Sequence, residues 1–181
     1  MAELAQVKVF RFDPKVDKEP RYETYETPYK DWAVLDVFQY IFDNLVPTLS
    51  FRYGCSGGTE RCGACAVLVN GVPSFTCKKP AEEEMVIEPH PKFEVMKDLI
   101  VDFNHIKKVE KAPAVEITVD LEKCTACRDC VDFCPMLVYE IQKRNGKAVA
   151  VPVDMASCCG KTCGMCAGFC KDEAITIKYQ I

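Results

Sequence analysis

Alternation of apolar and polar residues predicts the first elements of the chain. The segment QVKVFRFD at 6–13 alternates, and AVLVN at 66–70 is a short apolar run, so both are typical of β-strands. The segment AVLDVFQYIFDNL at 33–45 instead places its apolar residues at helical spacing. These patterns predict a strand-rich N-terminal region with one helix.

Two further segments follow in the middle of the chain. The stretch 80–91 opens with a proline and an acidic run and ends in a proline pair around His90, so we expect it to lie outside the core. Residues 92–110 return to helical spacing of apolar side chains, which predicts a second helix that ends at 111–113.

The last third of the chain contains an imperfect internal repeat. VDLEKC at 119–124 and VDMASC at 153–158 each lead into a cysteine run, and a short strand-like segment follows each run, at 137–141 and 174–177. Two strand, cysteine loop and helix units packed about a pseudo-twofold axis are the simplest arrangement of such a repeat.

Composition and charge narrow the class of protein. The 181 residues are 49% hydrophobic and 28% charged, as in globular domains, and the net charge of −4 leaves no basic excess for binding nucleic acid. The N-terminus lacks the pattern of a signal peptide, and no apolar run reaches the length that spans a bilayer. We therefore expect a cytoplasmic protein without direct membrane insertion.

The 13 cysteines fall into three groups, at 55–77, 124–134 and 158–170. Without an export signal, iron–sulfur or other metal sites explain them better than disulfides. The strongest pattern is the run Cys124-x2-Cys127-x2-Cys130-x3-Cys134 followed by Pro135, which is typical of bacterial ferredoxins with [4Fe–4S] clusters. In that pattern the fourth cysteine ligates the neighbouring cluster.

Two [4Fe–4S] clusters are therefore predicted in the last third of the chain. The first is assigned to Cys124, Cys127, Cys130 and Cys170. The second is assigned to Cys134, Cys163, Cys166 and one residue of the pair Cys158 and Cys159. Spacing leaves the choice within the pair open; alignment of the two repeats favours Cys158, and the other thiol would be a spare.

The N-terminal cysteine group predicts a third cluster. It reads Cys55-x6-Cys62-x2-Cys65-x11-Cys77 within a glycine-rich segment and resembles the plant-type ferredoxin domain. In that type the first gap is four residues, so the gap here is two residues longer. The nuclearity stays open, and the wider loop favours a [4Fe–4S] cluster over a [2Fe–2S] cluster.

Other ligand chemistries fit the pattern less well. Structural zinc also uses cysteine quartets, but zinc sites rarely use the run at 124–135. His90 and His105 could replace cysteines as in Rieske centres, yet neither lies within a cysteine run. We expect both histidines on the surface or on a helix face.

Segments beyond the cysteines resemble the iron–sulfur subunits of succinate dehydrogenase and fumarate reductase. They are VFRFDP at 9–14, TLSFRYGC at 48–55, CGACAVLVNG at 62–71 and VMKDLIVDF at 95–103. With the ferredoxin run, this resemblance implies an α+β fold: a β-grasp, plant-type ferredoxin-like domain at 1–91, a helix and linker at 92–115, and a bacterial 2[4Fe–4S] ferredoxin-like domain at 116–181.

This combination of domains is similar to the electron-transfer subunits of tungsten-dependent class II benzoyl-coenzyme A reductases. The resemblance implies a non-catalytic subunit that exchanges electrons with a large tungsten–pterin catalytic subunit and with further redox subunits, in anaerobic aromatic degradation. Two alternatives are a free-standing ferredoxin-type electron carrier and a short fumarate reductase or succinate dehydrogenase iron–sulfur subunit.

Overall fold

The chain divides into two compact units in the computed structural model, which describes residues 3–53, 63–107, 109 and 113–179. The N-terminal unit comprises residues 1–59 and 64–108, and the C-terminal unit comprises 60–63 and 109–181. Over the described ranges, no helix combines the length and the apolar character needed to cross a membrane.

A five-stranded mixed sheet forms the frame of the N-terminal unit. Its strands are β1 (Leu4–Arg11), β2 (Arg21–Pro28), β3 (Ala66–Val69), β4 (Val72–Phe75) and β5 (Glu84–Pro89), in the spatial order β2-β1-β5-β3-β4. Strand β1 runs parallel to β5 and antiparallel to β2, while β3 is antiparallel to β4 and β5. The strands predicted at 6–13 and 66–70 are confirmed.

One helix packs against this sheet. Helix α1 (Val34–Tyr40) continues into a π-helical turn at Ile41–Leu45, and its start is capped by a 2.8 Å hydrogen bond from the Ala33 N–H to the Asp36 carboxylate. Its buried side chains meet the inward-facing side chains of β1 in one core that includes Ala5, Val7, Val9, Val34, Val37, Phe38 and Ile41. The helix predicted at 33–45 is therefore confirmed.

The expectation that 80–91 lies outside the core is wrong. Strand β5 is the central strand of the sheet, and its Met85 and Ile87 are fully buried. The alternation in this segment is that of a strand, and its prolines stand outside or at the end of the strand, where no ladder bond is lost. His90 is 0% exposed, so its predicted surface position is also wrong, whereas His105 is exposed as expected.

Two strands replace the helix predicted over 92–110, which was wrong. Strands β6 (Phe93–Lys97) and β7 (Ile100–Ile106) form an antiparallel hairpin within the N-terminal unit. Asp98 in the turn adopts φ +46°, in the left-handed region, and its carboxylate accepts 2.9 Å hydrogen bonds from the N–H groups of Phe12 and Ser50. These tertiary bonds outweigh a helical pattern that carries only a weak local preference.

The C-terminal unit contains two antiparallel strand pairs and two short helices. Strand β8 (Val115–Val119) pairs with β11 (Ile175–Tyr179), and β9 (Tyr139–Arg144) pairs with β10 (Lys147–Pro152). Helix α2 (Asp129–Asp132) lies in the first cysteine run, and helix α3 (Met165–Phe169) lies in the second, after 3-10 turns at Met155–Ser157 and Gly160–Thr162. The order of strand, cysteine loop, helix and strand occurs twice, as the internal repeat predicts.

Candidate iron–sulfur sites

One cavity of the C-terminal unit is lined by cysteines from both halves of the repeat. Cys124, Cys127 and Cys130 come from the first half, and Cys170 comes from the second. Cys124 and Cys130 are buried, while Cys127 is exposed. Strand β8 and helix α2 flank the loop that carries the first three thiols, with the Cys124 N–H donating to the Asp120 carbonyl at 3.0 Å. These four thiols match the number that a [4Fe–4S] cluster requires, and their ligation of iron stays a prediction.

A second cavity is lined by the complementary cysteines. They are Cys134, Cys158, Cys159, Cys163 and Cys166, and Cys130 borders this cavity as well. Cys158 and Cys159 are both buried, at 9% and 2% exposure. The structure therefore brings the predicted second set together, with one thiol more than a cluster needs.

The electrostatic environment distinguishes Cys158. Burial raises the pKa of its thiol to about 12; the Gly160 N–H opposes this rise, and the nearby thiols of the second set, Cys166, Cys134 and Cys163, add to it. A side chain that interacts with all three partners of its set is well placed to complete that set. The same geometry supports Cys158 over Cys159 as the fourth ligand.

Burial has the same effect on the thiol of Cys130. Its pKa is raised to about 12, first by burial and then by the nearby thiols of Cys124 and Cys127. Without a cluster, such thiols are neutral at pH 7. Because iron binds thiolates, cluster assembly must release protons from both cavities.

Backbone N–H groups donate to cysteine sulfurs in both cavities. The bonds are Ala150 to Cys124 at 3.4 Å, Val138 to Cys134 at 3.5 Å, Gly160 to Cys158 at 3.4 Å and Ala174 to Cys170 at 3.3 Å. Such bonds stabilise negative charge on the sulfur and tune the reduction potential of a bound cluster. Sequence reasoning missed these donors because a backbone group leaves no residue-type signal.

Half of the N-terminal quartet lies within the described residues. The sulfurs of Cys65 and Cys77 are 3.4 Å apart, and the Thr76 N–H donates to the Cys65 carbonyl at 3.2 Å. Cys65 directly precedes β3, and Cys77 lies two residues after the end of β4, so this hairpin positions both thiols. Cys55 and Cys62 lie outside the described residues, and the third cluster stays a prediction.

The histidines lie away from the two cysteine cavities of the C-terminal unit. His90 packs against Phe93 with ring centroids 5.5 Å apart, and the exposed His105 lies 2.7 Å from the carboxylate of Asp102. Neither is among the residues that line those cavities. Over the described ranges, no group of three or more His, Cys, Asp or Glu side chains is arranged to hold a metal ion.

Comparison with known domain families agrees with this division of the chain. Residues 6–108 match the family described as a 2Fe-2S iron–sulfur cluster binding domain, and residues 117–140 match the 4Fe-4S binding domain. The first description differs from our expectation of a [4Fe–4S] cluster in the N-terminal domain. It supports a [2Fe–2S] cluster there.

Individual relatives extend the similarity over nearly the whole chain. The fumarate reductase iron–sulfur subunit of Haemophilus influenzae is 32% identical over an alignment covering 97% of this chain and 68% of the relative. One chain of the fumarate reductase (CoM/CoB) of Methanothermobacter marburgensis is 29% identical over 94% of this chain, which spans 41% of that relative.

A solved structure shares the fold. A chain of the Mycobacterium smegmatis Sdh1 complex in the apo form superposes with a TM-score of 0.50 at 24% identity, covering 76% of this chain and 66% of that one. The fold, the domain matches and the Haemophilus influenzae relative lead to one conclusion. This chain belongs to the fumarate reductase and succinate dehydrogenase family of iron–sulfur subunits, with a 2Fe-2S-type domain followed by a 4Fe-4S-type domain.

Proposed function

We propose that this chain is a non-catalytic electron-transfer subunit of a larger oxidoreductase and that it holds three iron–sulfur clusters. When bound, such clusters supply one-electron redox chemistry. One observation carries the proposal: the two cavities of the C-terminal unit divide the cysteines into complementary sets, and each set draws on both halves of the repeat. That exchange of a thiol between halves is the ligand pattern of two-cluster ferredoxins.

The assignment of ligands follows from the two cavities. Cys124, Cys127, Cys130 and Cys170 would hold the first [4Fe–4S] cluster. Cys134, Cys158, Cys163 and Cys166 would hold the second, and Cys159 would be the spare thiol. Four thiolates per cluster leave no open iron position for a substrate, which suits a role in electron transfer.

The third cluster would be held by Cys55, Cys62, Cys65 and Cys77. The mixed sheet order β2-β1-β5-β3-β4 with α1 packed on it supports a β-grasp domain around this site. For the nuclearity, the family description supports [2Fe–2S], whereas the six-residue gap between Cys55 and Cys62 favours [4Fe–4S]. On that spacing we propose [4Fe–4S] and leave the decision to the iron count.

For the partner, we propose a large tungsten–pterin subunit that reduces an aromatic acyl-coenzyme A. This choice rests on the sequence resemblance, in which a compact two-cluster ferredoxin domain follows the N-terminal domain. The fumarate reductase names of the relatives favour a second candidate, a flavin-containing fumarate reductase or succinate dehydrogenase. A free-standing electron carrier would have no stable partner.

Anaerobic native purification tests these alternatives in one experiment. We expect the chain to co-purify with a large subunit, with about twelve irons per chain beyond the share of the partner and with tungsten present. About ten irons with flavin would support a [2Fe–2S] centre and the fumarate reductase candidate. Migration alone at the mass of the chain would support a free carrier, and a chain without iron would overturn the proposed function.

A further inference from the structure

A buried tyrosine hydroxyl lies against one of the predicted ligands. The Tyr139 O–H donates to the sulfur of Cys166 at 3.0 Å. Tyr139 is the first residue of β9, is 3% exposed and lines the second cavity. We propose that Tyr139 is a positioning residue that acts through Cys166 to raise the reduction potential of the second cluster above that of the first. The inference rests on the proposed function.

The internal repeat supplies a comparison within the same chain. Tyr139 stands five residues after Cys134, and the residue five after Cys170 is Ile175, which lines the first cavity. The preceding N–H groups, of Val138 and Ala174, make matching bonds to the sulfurs of those two cysteines. The two halves therefore share the backbone donor but differ at the next side chain, a phenol in one and an alkyl group in the other.

The backbone donors do not account for a difference between the clusters. The first set also receives the Ala150 N–H at Cys124, and the second receives the Gly160 N–H at Cys158, both at 3.4 Å. The phenolic O–H of Tyr139 is an additional side-chain donor to the second set. Its shorter distance, together with its burial, makes it a strong feature of that cavity.

The direction of the effect follows from charge. Reduction adds negative charge that is shared with the cysteine sulfurs, so a donor at a sulfur stabilises the reduced form more than the oxidised form. Because Tyr139 is buried, water does not readily replace the bond when the hydroxyl is removed. The second cluster is thus reduced before the first, and electrons entering the C-terminal unit rest there.

The test is a redox titration of Tyr139→Phe in the full chain, anaerobically, followed by electron paramagnetic resonance, with iron content measured in parallel. At the potential that half-reduces the second cluster of the unmodified chain, we expect the reduced-to-oxidised ratio to fall about tenfold, which corresponds to about 59 mV for a one-electron couple. The matched control is Tyr179→Phe, which removes a phenol that is 38% exposed and lies beside Lys161. We expect no shift in the control.

Each outcome bears on the inference. Full iron with unshifted midpoints in Tyr139→Phe would overturn it, as would an equal shift in Tyr179→Phe. If Tyr139→Phe fails to hold iron, 3-fluorotyrosine at position 139 decides, because it strengthens the donor and should raise the midpoint; an unchanged midpoint would overturn the inference. Absence of iron from the unmodified chain would overturn the proposed function as well, so the two failures are distinguishable.

Discussion

The guanidinium Nε of Arg11 lies 3.1 Å from the carboxylate of Asp98, and the two residues are only 4% and 2% exposed. The same carboxylate accepts hydrogen bonds from the N–H groups of Phe12 and Ser50, and Arg11 also donates to the Tyr25 hydroxyl at 2.8 Å. Asp98 therefore ties together the end of β1, the segment at Ser50 and the turn between β6 and β7.

Replacing Asp98 should strongly destabilise the N-terminal unit. In Asp98→Ala the guanidinium of Arg11 stays buried without this carboxylate, and breaking a buried pair in this way lowers the free energy of unfolding by about 3 to 5 kcal/mol. Denaturant unfolding followed by fluorescence of Trp32, the one tryptophan of the chain, which packs against the core of this unit, measures the loss.

The control for Asp98 lies in the same hairpin. Asp102 pairs with His105, whose side chain is 66% exposed, so Asp102→Ala should cost less than about 1 kcal/mol. Equal losses in the two variants would show that the Arg11 network does not stabilise the unit.

A matched pair of glycines separates backbone strain from packing. Gly146, in the turn between β9 and β10, has φ +81°, and a Cβ there would meet nothing within 4 Å. Gly146→Ala should therefore destabilise the hairpin by about 1 to 2 kcal/mol through its backbone conformation alone. Faster amide hydrogen exchange in β9 and β10 would report this loss.

Gly168 is the control for Gly146. It lies in helix α3, where an added Cβ would also meet nothing within 4 Å, and its φ is not in the left-handed region. Gly168→Ala should stabilise the helix by about 0.5 to 1 kcal/mol, because alanine loses less backbone entropy. The same sign of change in both variants would contradict this account.

The cysteine groupings could be predicted from the sequence because ligand spacing along a loop is a local property. Cys124, Cys127 and Cys130 are near one another whatever surrounds them, and the repeat pattern then assigns Cys170 to their set. The cavity that these four residues line agrees with that grouping. The donors to their sulfurs come from distant strands, such as Ala150 on β10, and no local pattern predicts them.

The hairpin at 93–106 could not be predicted in the same way. Its helical spacing of apolar residues competes with long-range bonds of Asp98 to Phe12 and Ser50, residues that lie far away in the sequence. Signals for two other hairpins were present and unused: Asn70-Gly71 and Asn145-Gly146 both adopt positive φ, as Asn-Gly does in two-residue turns between strands.

Loss of one shared ligand should show how far folding of the C-terminal unit depends on iron. Cys130→Ala removes a buried thiol that lines the first cavity and borders the second. We expect the loss of about four irons per chain and of much secondary structure in this unit, since metal binding and folding are coupled. Iron analysis and hydrogen exchange over β8 to β11 measure both effects; unchanged iron would contradict the ligand assignment.

The adjacent cysteines allow the sharpest test of the second set. Cys158 interacts with Cys134, Cys163 and Cys166, and its sulfur accepts the Gly160 N–H at 3.4 Å. We therefore expect Cys158→Ser to lose about four irons per chain, while Cys159→Ser keeps its full iron content and its visible spectrum. The two variants are matched, because each replaces one buried sulfur with oxygen at neighbouring positions. Loss of iron in both would refute a single spare thiol, and loss in Cys159→Ser alone would exchange the roles of the pair.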